Sequence, residues 1–258
     1  MKNESNWLAL VVGNSRLHWA WFKHDILNVT WDTNHLINPV EAHRLPHLFL
    51  HSDLIEQNLT QTPVYLASVV AHQTKYWCNY HNLTSISLDD IKLTNIYSSL
   101  GVDRALAASG AIAIYKQSCL VIDGGTALTF TGVDKYRKLI GGAILPGLRS
   151  QLSSLQQKTS ALPEIVLPNS LPPRWSLDTD TAIASGVLYT AIAGIYSFIT
   201  DWLQQFPYSQ IIFTGGDGEL LAKLLLQQFP QLTDRTTVNR NLVFHGLKLV
   251  YQRNRSTV

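Results

Sequence analysis

Cysteine is scarce: the 258 residues hold two, Cys78 and Cys119, far apart and in no C-x-x-C pair. That excludes a zinc ribbon and a disulfide scaffold, and it fits a reducing, cytoplasmic setting. Charge is thin as well. Asp, Glu, Lys and Arg make up 15% of the chain while apolar residues reach 46%, which excludes a long disordered tail or a highly solvated helical rod. The 20 Lys and Arg nearly balance 18 Asp and Glu for a net charge of +2. No basic footprint points to DNA or RNA. Two phosphate-binding signatures are missing too: there is no G-x-x-x-x-G-K-[ST] loop, and no G-x-G-x-x-G opens a first helix. The first apolar run, Leu8 to Val12, ends at Gly13-Asn14-Ser15-Arg16. It is too short for a membrane span or a signal-peptide core, so no membrane role is expected.

What the chain does hold is long enough for one to two domains. Leu8 to Val12, the Gly13-Asn14-Ser15 turn and the aromatic segment from Leu17 to Phe22 predict a hairpin. From Asn28 to about Gln61 the composition is mixed, and His43, His47 and His51 would line one face of a surface helix interrupted at Pro46. With no cysteine among them and Glu41 and Asp53 in no ligand motif, these histidines read as incidental. Val64 to Val70 is a short β-prone run, and Asp103 to Tyr115 reads as an apolar helix.

Cys119 to Ile122 then predicts a buried strand ending at Asp123-Gly124-Gly125-Thr126, with a returning strand from Ala127 to Thr131. Leu10 to Ser15 set beside Val121 to Thr126 shows the same grammar of strand, small polar turn and strand, which suggests a duplicated fold. Gly141 to Gly147 reads as a Gly/Pro-punctuated loop, Leu148 to Lys158 as a helix, and the prolines from Pro163 to Pro173 as a connection. Asp178 to Asp180 can cap a long helix that runs to about Gln205. Gln210 to Phe213 is a further strand, followed by a Thr214-Gly215-Gly216-Asp217-Gly218 turn and a helix from Glu219 to Phe229.

Three glycine turns that each follow a strand suit phosphate, because a residue without Cβ lets backbone N–H groups close on an anion. A nucleotide held by two similar halves would use all three. In Gly101-Val102-Asp103-Arg104, the Asp can accept a hydroxyl proton and the Arg can grip a carboxylate, the parts needed to phosphorylate an anionic alcohol. The bland alternative makes Asp103 a helix-start charge with Arg104 in solvent. Asp123 ends a buried strand, where an ionised carboxylate needs a cation or nearby donors. Thr126 and Thr129 bring hydroxyls to the same hairpin, or serve merely as strand-favouring residues. His18, between Leu17 and Trp19, reads as a packed core histidine, and Trp19 and Trp21 as core or interface.

Taken in order, these turns resemble the type III pantothenate kinases of the acetate and sugar kinase, Hsc70 and actin superfamily. The matching parts run from about Leu8 to Gly216: Val11 to Ser15, Gly101 to Arg104, Asp123 to Thr126 with Ala127 and Thr129, Gly141 to Gly147, and Thr179 before Ala182 to Gly186. The resemblance implies an α/β, duplicated ribonuclease-H-like fold with lobes at 1–117 and 118–258 and ATP between them. It implies transfer of the γ-phosphate to the primary hydroxyl of pantothenate, the first step of coenzyme A synthesis.

By the same resemblance Asp103 would be the general base, and Tyr97, Gly101, Val102, Arg104 and Thr179 would line the pantothenate site. Val11, Val12, Gly13, Asn14, Ser15, Thr126, Gly215 and Gly216 would hold the nucleotide. Asp123 would bind a monovalent cation, K⁺ or ammonium, and Mg²⁺ and a homodimer are also implied. Three positions depart from the family pattern. Its first turn usually reads Asp-x-Gly-Asn-Thr, and this chain has Val11 for the Asp and Ser15 for the Thr; Asp178 stands where Asn is common. Val11 removes a charge that helps position Mg²⁺ and phosphate. The competing readings are a ligand-binding or regulatory homologue without phosphoryl transfer, and another small-molecule kinase of the superfamily.

Overall fold

The computed structural model describes residues 6–46 and 62–256. Contact density divides the chain into two units, one of Met1–Lys92, Ile96–Gly110 and Val243–Val258, the other of Leu93–Asn95 and Ala111–Leu242.

The first unit is built on a five-stranded sheet in the order β3-β2-β1-β4-β5. Its strands are β1 (Trp7–Val12), β2 (Leu17–Lys23), β3 (Ile26–Thr33), β4 (Val64–Ser68) and β5 (Leu83–Ile86). The hairpins β1/β2 and β2/β3 are antiparallel, while β4 joins β1 and β5 in parallel. Every residue of β1 is buried, as a central strand covered on both faces requires, and β3 alternates exposed and half-buried residues as an edge strand does. One face packs Leu8, Leu10, Val12, Leu17, Trp19 and Trp21 with Trp77 of α1 (Ala71–Trp77). On the opposite face Trp7 stacks between Phe22, at 4.1 Å, and Tyr251 of the last helix, at 4.2 Å. Both tryptophans expected to mark core, Trp19 and Trp21, are buried.

The second unit repeats the plan. Its sheet runs β10-β9-β6-β7-β8, with β6 (Cys119–Gly124), β7 (Ala127–Val133), β8 (Leu139–Pro146), β9 (Gln210–Thr214) and β10 (Thr236–Val238). Again the first three strands pair antiparallel and the last two add in parallel. Helices α3 (Leu148–Lys158), α4 (Thr179–Gln205) and α5 (Gly218–Gln228) cover its core face, where Leu120, Ile122, Leu128 and Phe130 meet Leu188, Ile195 and Leu225. By length and composition α4 could cross a membrane. Nine of its residues, from Ala184 to Trp202, are buried, which accounts for its apolar character. Among the described residues two further α-helices follow: α2 (Val102–Tyr115) carries Asp103, and α6 (Leu242–Ser256) ends the described chain.

Four expectations change. Gly141 to Pro146 is not a loop but most of edge strand β8, with its residues alternating between half-buried and exposed. His43 lies in a short turn closed by a Glu41–Arg44 bridge rather than on a helix, and His47, His51 and Asp53 lie outside the described residues. His18 is not core, because its side chain is 42% exposed. Finally, the correspondence between the two strand-turn units moves by one residue. Leu8, Leu10 and Val12 face one core as Leu120, Ile122 and Gly124 face their side of the other sheet, so Val11 matches Asp123.

Candidate active site

In the first unit, β1 delivers Val11 and Val12 buried and releases Gly13, Asn14 and Ser15 toward solvent. The turn is fastened at its root: Gly13 N–H donates to Arg16 O at 3.0 Å, and His35 Nε2 donates to Gly13 O at 2.8 Å. Val69, just after β4, donates its N–H to Val12 O at 3.1 Å and lies beside Gly101. The phosphate-type turn and the Gly101–Arg104 motif therefore belong to one packed neighbourhood.

Asp103 sits in the first turn of α2, and its Oδ1 accepts the Arg104 backbone N–H at 2.7 Å. Burial pushes its carboxyl above the ordinary carboxylate range, partly opposed by that N–H and by the charges of Arg104 and His18. Arg104 is 8% exposed, contrary to a solvent-facing role, and its Nη1 donates to the Tyr97 hydroxyl at 3.2 Å. A half-buried base with raised affinity for a proton, next to an oriented guanidinium, can deprotonate an alcohol and hold a carboxylate.

The second unit brings the other glycine turns together. Asp123 lies opposite Thr129 on one side and Thr214 on the other. Gly215 takes φ +81°, and a Cβ there would overlap Asp123 Oδ1 and stand 2.6 Å from Gly124 O. The carboxylate thus fills a cradle that only glycine leaves open. Asp217 N–H donates to Gly124 O at 2.8 Å, tying the two turns, and Gly147 N–H donates to Thr126 O at 2.9 Å. A carboxylate beside backbone carbonyls is an all-oxygen donor set, which suits a hard cation such as K⁺. Among the described residues no three His, Cys, Asp or Glu side chains converge on a metal-sized point. Thr179 is exposed at the start of α4, and among the described residues no hydrogen bond joins it to the Asp123 or Gly215 turns.

Two pairs escaped the sequence reading. Asp217, 7% exposed, accepts Arg149 Nη2 at 3.1 Å and Nε at 3.3 Å. Asp32 lies 2.7 Å from His18 Nδ1, and this contact holds its carboxyl below the usual range. Neither pair leaves a local signal, since both join residues from different elements.

Comparison with known proteins fits this architecture. Two solved structures share the fold: a chain from Campylobacter jejuni named for the Baf family of transcriptional activators (TM-score 0.62, 21% identity, 96% of this chain and 99% of that one) and a ROK family glucokinase from Streptomyces griseus in complex with glucose and AMPPNP (0.52, 11%, 98% and 100%). The fold is α/β, of the duplicated, actin-like ATPase kind, with ribonuclease-H-like units. A type III pantothenate kinase from Nostoc sp. is 43% identical over 96% of this chain and 95% of its own length. A family model described as type III pantothenate kinase matches residues 7–201, and the chain belongs to that family.

Proposed function

We propose that Asp103 is the general base of the reaction that family membership assigns to this chain, the ATP-dependent phosphorylation of pantothenate in coenzyme A biosynthesis. The observation that carries the assignment is its setting: a carboxylate oriented by the Arg104 N–H, made more basic by burial and placed beside a buried guanidinium. Asp103 takes the proton of the primary hydroxyl as that oxygen attacks the γ-phosphorus. The bond from the γ-phosphorus to the β,γ-bridging oxygen breaks, and ADP leaves with its electron pair.

Arg104, steadied by the Tyr97 hydroxyl, meets the carboxylate of pantothenate, with Gly101 and Val102 supplying backbone and Thr179 a hydroxyl. Backbone amides of Asn14, Ser15 and Thr126 contact phosphate, Gly13 lets the anion approach its bare Cα, and Gly215 and Gly216 take the nucleotide side, while Val11 and Val12 support the first turn from within the sheet. Asp123 is the residue that would hold K⁺ or ammonium, in the oxygen-lined cradle closed by Gly215. Such a cation, together with Mg²⁺, would offset negative charge on the transferred group.

A second copy of the chain completes the proposal, since Val166, Trp175 and Leu177, on the connection before α4, are 84%, 89% and 105% exposed. A cytoplasmic setting accords with two free cysteines.

The test is ADP release with ATP, Mg²⁺ and pantothenate. Asp103→Asn should lower kcat by about 10²- to 10⁴-fold with an unchanged circular dichroism spectrum. Full turnover by this variant would remove Asp103 from the base role. Equal rates in K⁺ and Na⁺ would remove the monovalent cation from Asp123.

A further inference from the structure

Val11 of β1, His18 of β2 and Asp32 of β3 are direct register partners, so their side chains stand in a row on one face of the first sheet. The matching row in the second sheet is Asp123, Thr129 and Ile144. Where one sheet ends its central strand in a carboxylate, the other ends it in an apolar side chain and carries its ionisable groups one and two strands further out.

Those groups are arranged rather than scattered. His18 Nδ1 lies 2.7 Å from Asp32 Oδ1, with the two side chains 42% and 49% exposed. The carboxylate fixes the ring so that Nδ1 is its donor, which leaves Nε2 for another partner. Nε2 makes no hydrogen bond among the described residues, and it lies 3.2 Å from the point where a Cβ on Gly13 would stand. The bare Cα of Gly13 is therefore what lets the imidazole edge reach the turn. Around the pair, Arg16 acts on Asp32, His18 acts on Asp103, and His35 is committed to Gly13 O.

With Asp32 accepting at Nδ1 and a phosphate oxygen accepting at Nε2, the imidazole would donate from both of its nitrogens, one to each anionic group. That suits an anion. We propose that His18, oriented by Asp32, donates from Nε2 to a phosphate oxygen of ATP held at the Gly13–Ser15 turn. The inference rests on the reading that this turn receives ATP, and it adds a phosphate-contacting residue in the row where Val11 supplies no charge.

Two measurements test it. In protein carrying ¹⁵N-labelled histidine, the His18 Nε2 resonance, assigned by its absence in His18→Gln, should move on adding AMPPNP, and should move less in Asp32→Asn. In steady-state assays His18→Gln should raise KM for ATP about tenfold or more while leaving KM for pantothenate and the melting temperature near native. A purely structural histidine would instead lower the melting temperature and disturb both KM values together. A His18 signal unmoved at saturating AMPPNP, or a native KM for ATP in His18→Gln, overturns the proposal. Native protein that moves the His18 signal with AMPPNP yet forms no ADP with pantothenate would support this contact and defeat the assigned reaction instead.

Discussion

Gly215 and Gly216 are neighbours in one turn, and the structure predicts opposite responses to the same added methyl group. Gly215 has φ +81°, which strains any L side chain, and its Cβ would overlap Asp123 Oδ1 and approach Gly124 O to 2.6 Å and Gly124 C to 2.9 Å. The left-handed backbone costs roughly 1–2 kcal/mol. Forcing a methyl into filled space adds about 1–3 kcal/mol, because the atoms in the way are mostly backbone and cannot swing aside. Gly215→Ala should therefore destabilise by about 2–5 kcal/mol.

Gly216 has nothing within 4 Å of its Cβ position and no positive φ. Gly216→Ala should be neutral or stabilising, by up to about 1 kcal/mol, since alanine restricts the unfolded chain. At roughly 2–4 °C per kcal/mol for a chain of this size, the two melting temperatures should differ by on the order of 5–20 °C. Thermal unfolding followed by far-ultraviolet circular dichroism reads that difference, with urea midpoints as a second measure. Equal melting temperatures, or a lower one for Gly216→Ala, would refute the packing of Asp123 against Gly215.

The burial that raises the Asp103 carboxyl places the acid limb of kcat/KM above the ordinary carboxylate range, so activity rises with pH through that higher value; a limb at the ordinary position would contradict the buried base. The same shift has a sign for stability. The protonated form is favoured in the folded state, so Asp103 stabilises below the usual carboxylate pKa and loses that contribution as pH rises through its folded value. Asp103→Asn should thus be at least as stable as native protein at neutral pH, and a large drop in melting temperature would count against this account. Ser209→Ala removes the Oγ acceptor of the buried Trp202 Nε1, 2.7 Å away, and should cost about 1–3 kcal/mol in urea unfolding; no change would mean that water replaces the hydroxyl.

How far the fold was legible depends on whether each signal was local. The apolar runs of β1, β6 and β9 and the glycine turns that follow them are contiguous in sequence, and Asp178 caps α4 as its position suggests, accepting the Thr181 N–H at 2.9 Å. Strand β8 was missed because Gly141, Gly142 and Pro146 resemble loop punctuation, yet the ladder to β7 carries them and an edge strand tolerates such residues. Edge strand β3 was lost in the same way among mixed composition, and with it Asp32. His18 misled because its chain neighbours Leu17 and Trp19 are buried; strand alternation sends those two into the core and His18 to the opposite face. The solvent-facing alternative for Arg104 fails because the Tyr97 hydroxyl, distant enough in sequence to leave no local signal, helps receive it inside.

The two sheets share strand order and pairing sense, so what distinguishes their strand ends must lie in side chains and hairpin length. Val11 pairs with His18 across a longer turn than the one by which Asp123 pairs with Thr129. The second hairpin is tight and glycine-lined, and its carboxylate is packed against the next glycine turn, an arrangement suited to a small cation. The first hairpin is longer and exposed at Asn14 and Ser15, with an imidazole leaning over Gly13, an arrangement suited to an anion. A carboxylate introduced by Val11→Asp would be buried beside the His18–Asp32 pair, because Val11 is 4% exposed. It would compete with Asp32 for the His18 ring and repel phosphate. The valine is therefore compatible with the first unit's chemistry as this structure builds it, and Val11→Asp should weaken ATP binding, read as a raised KM for ATP; an unchanged or lower KM for ATP would refute this reading.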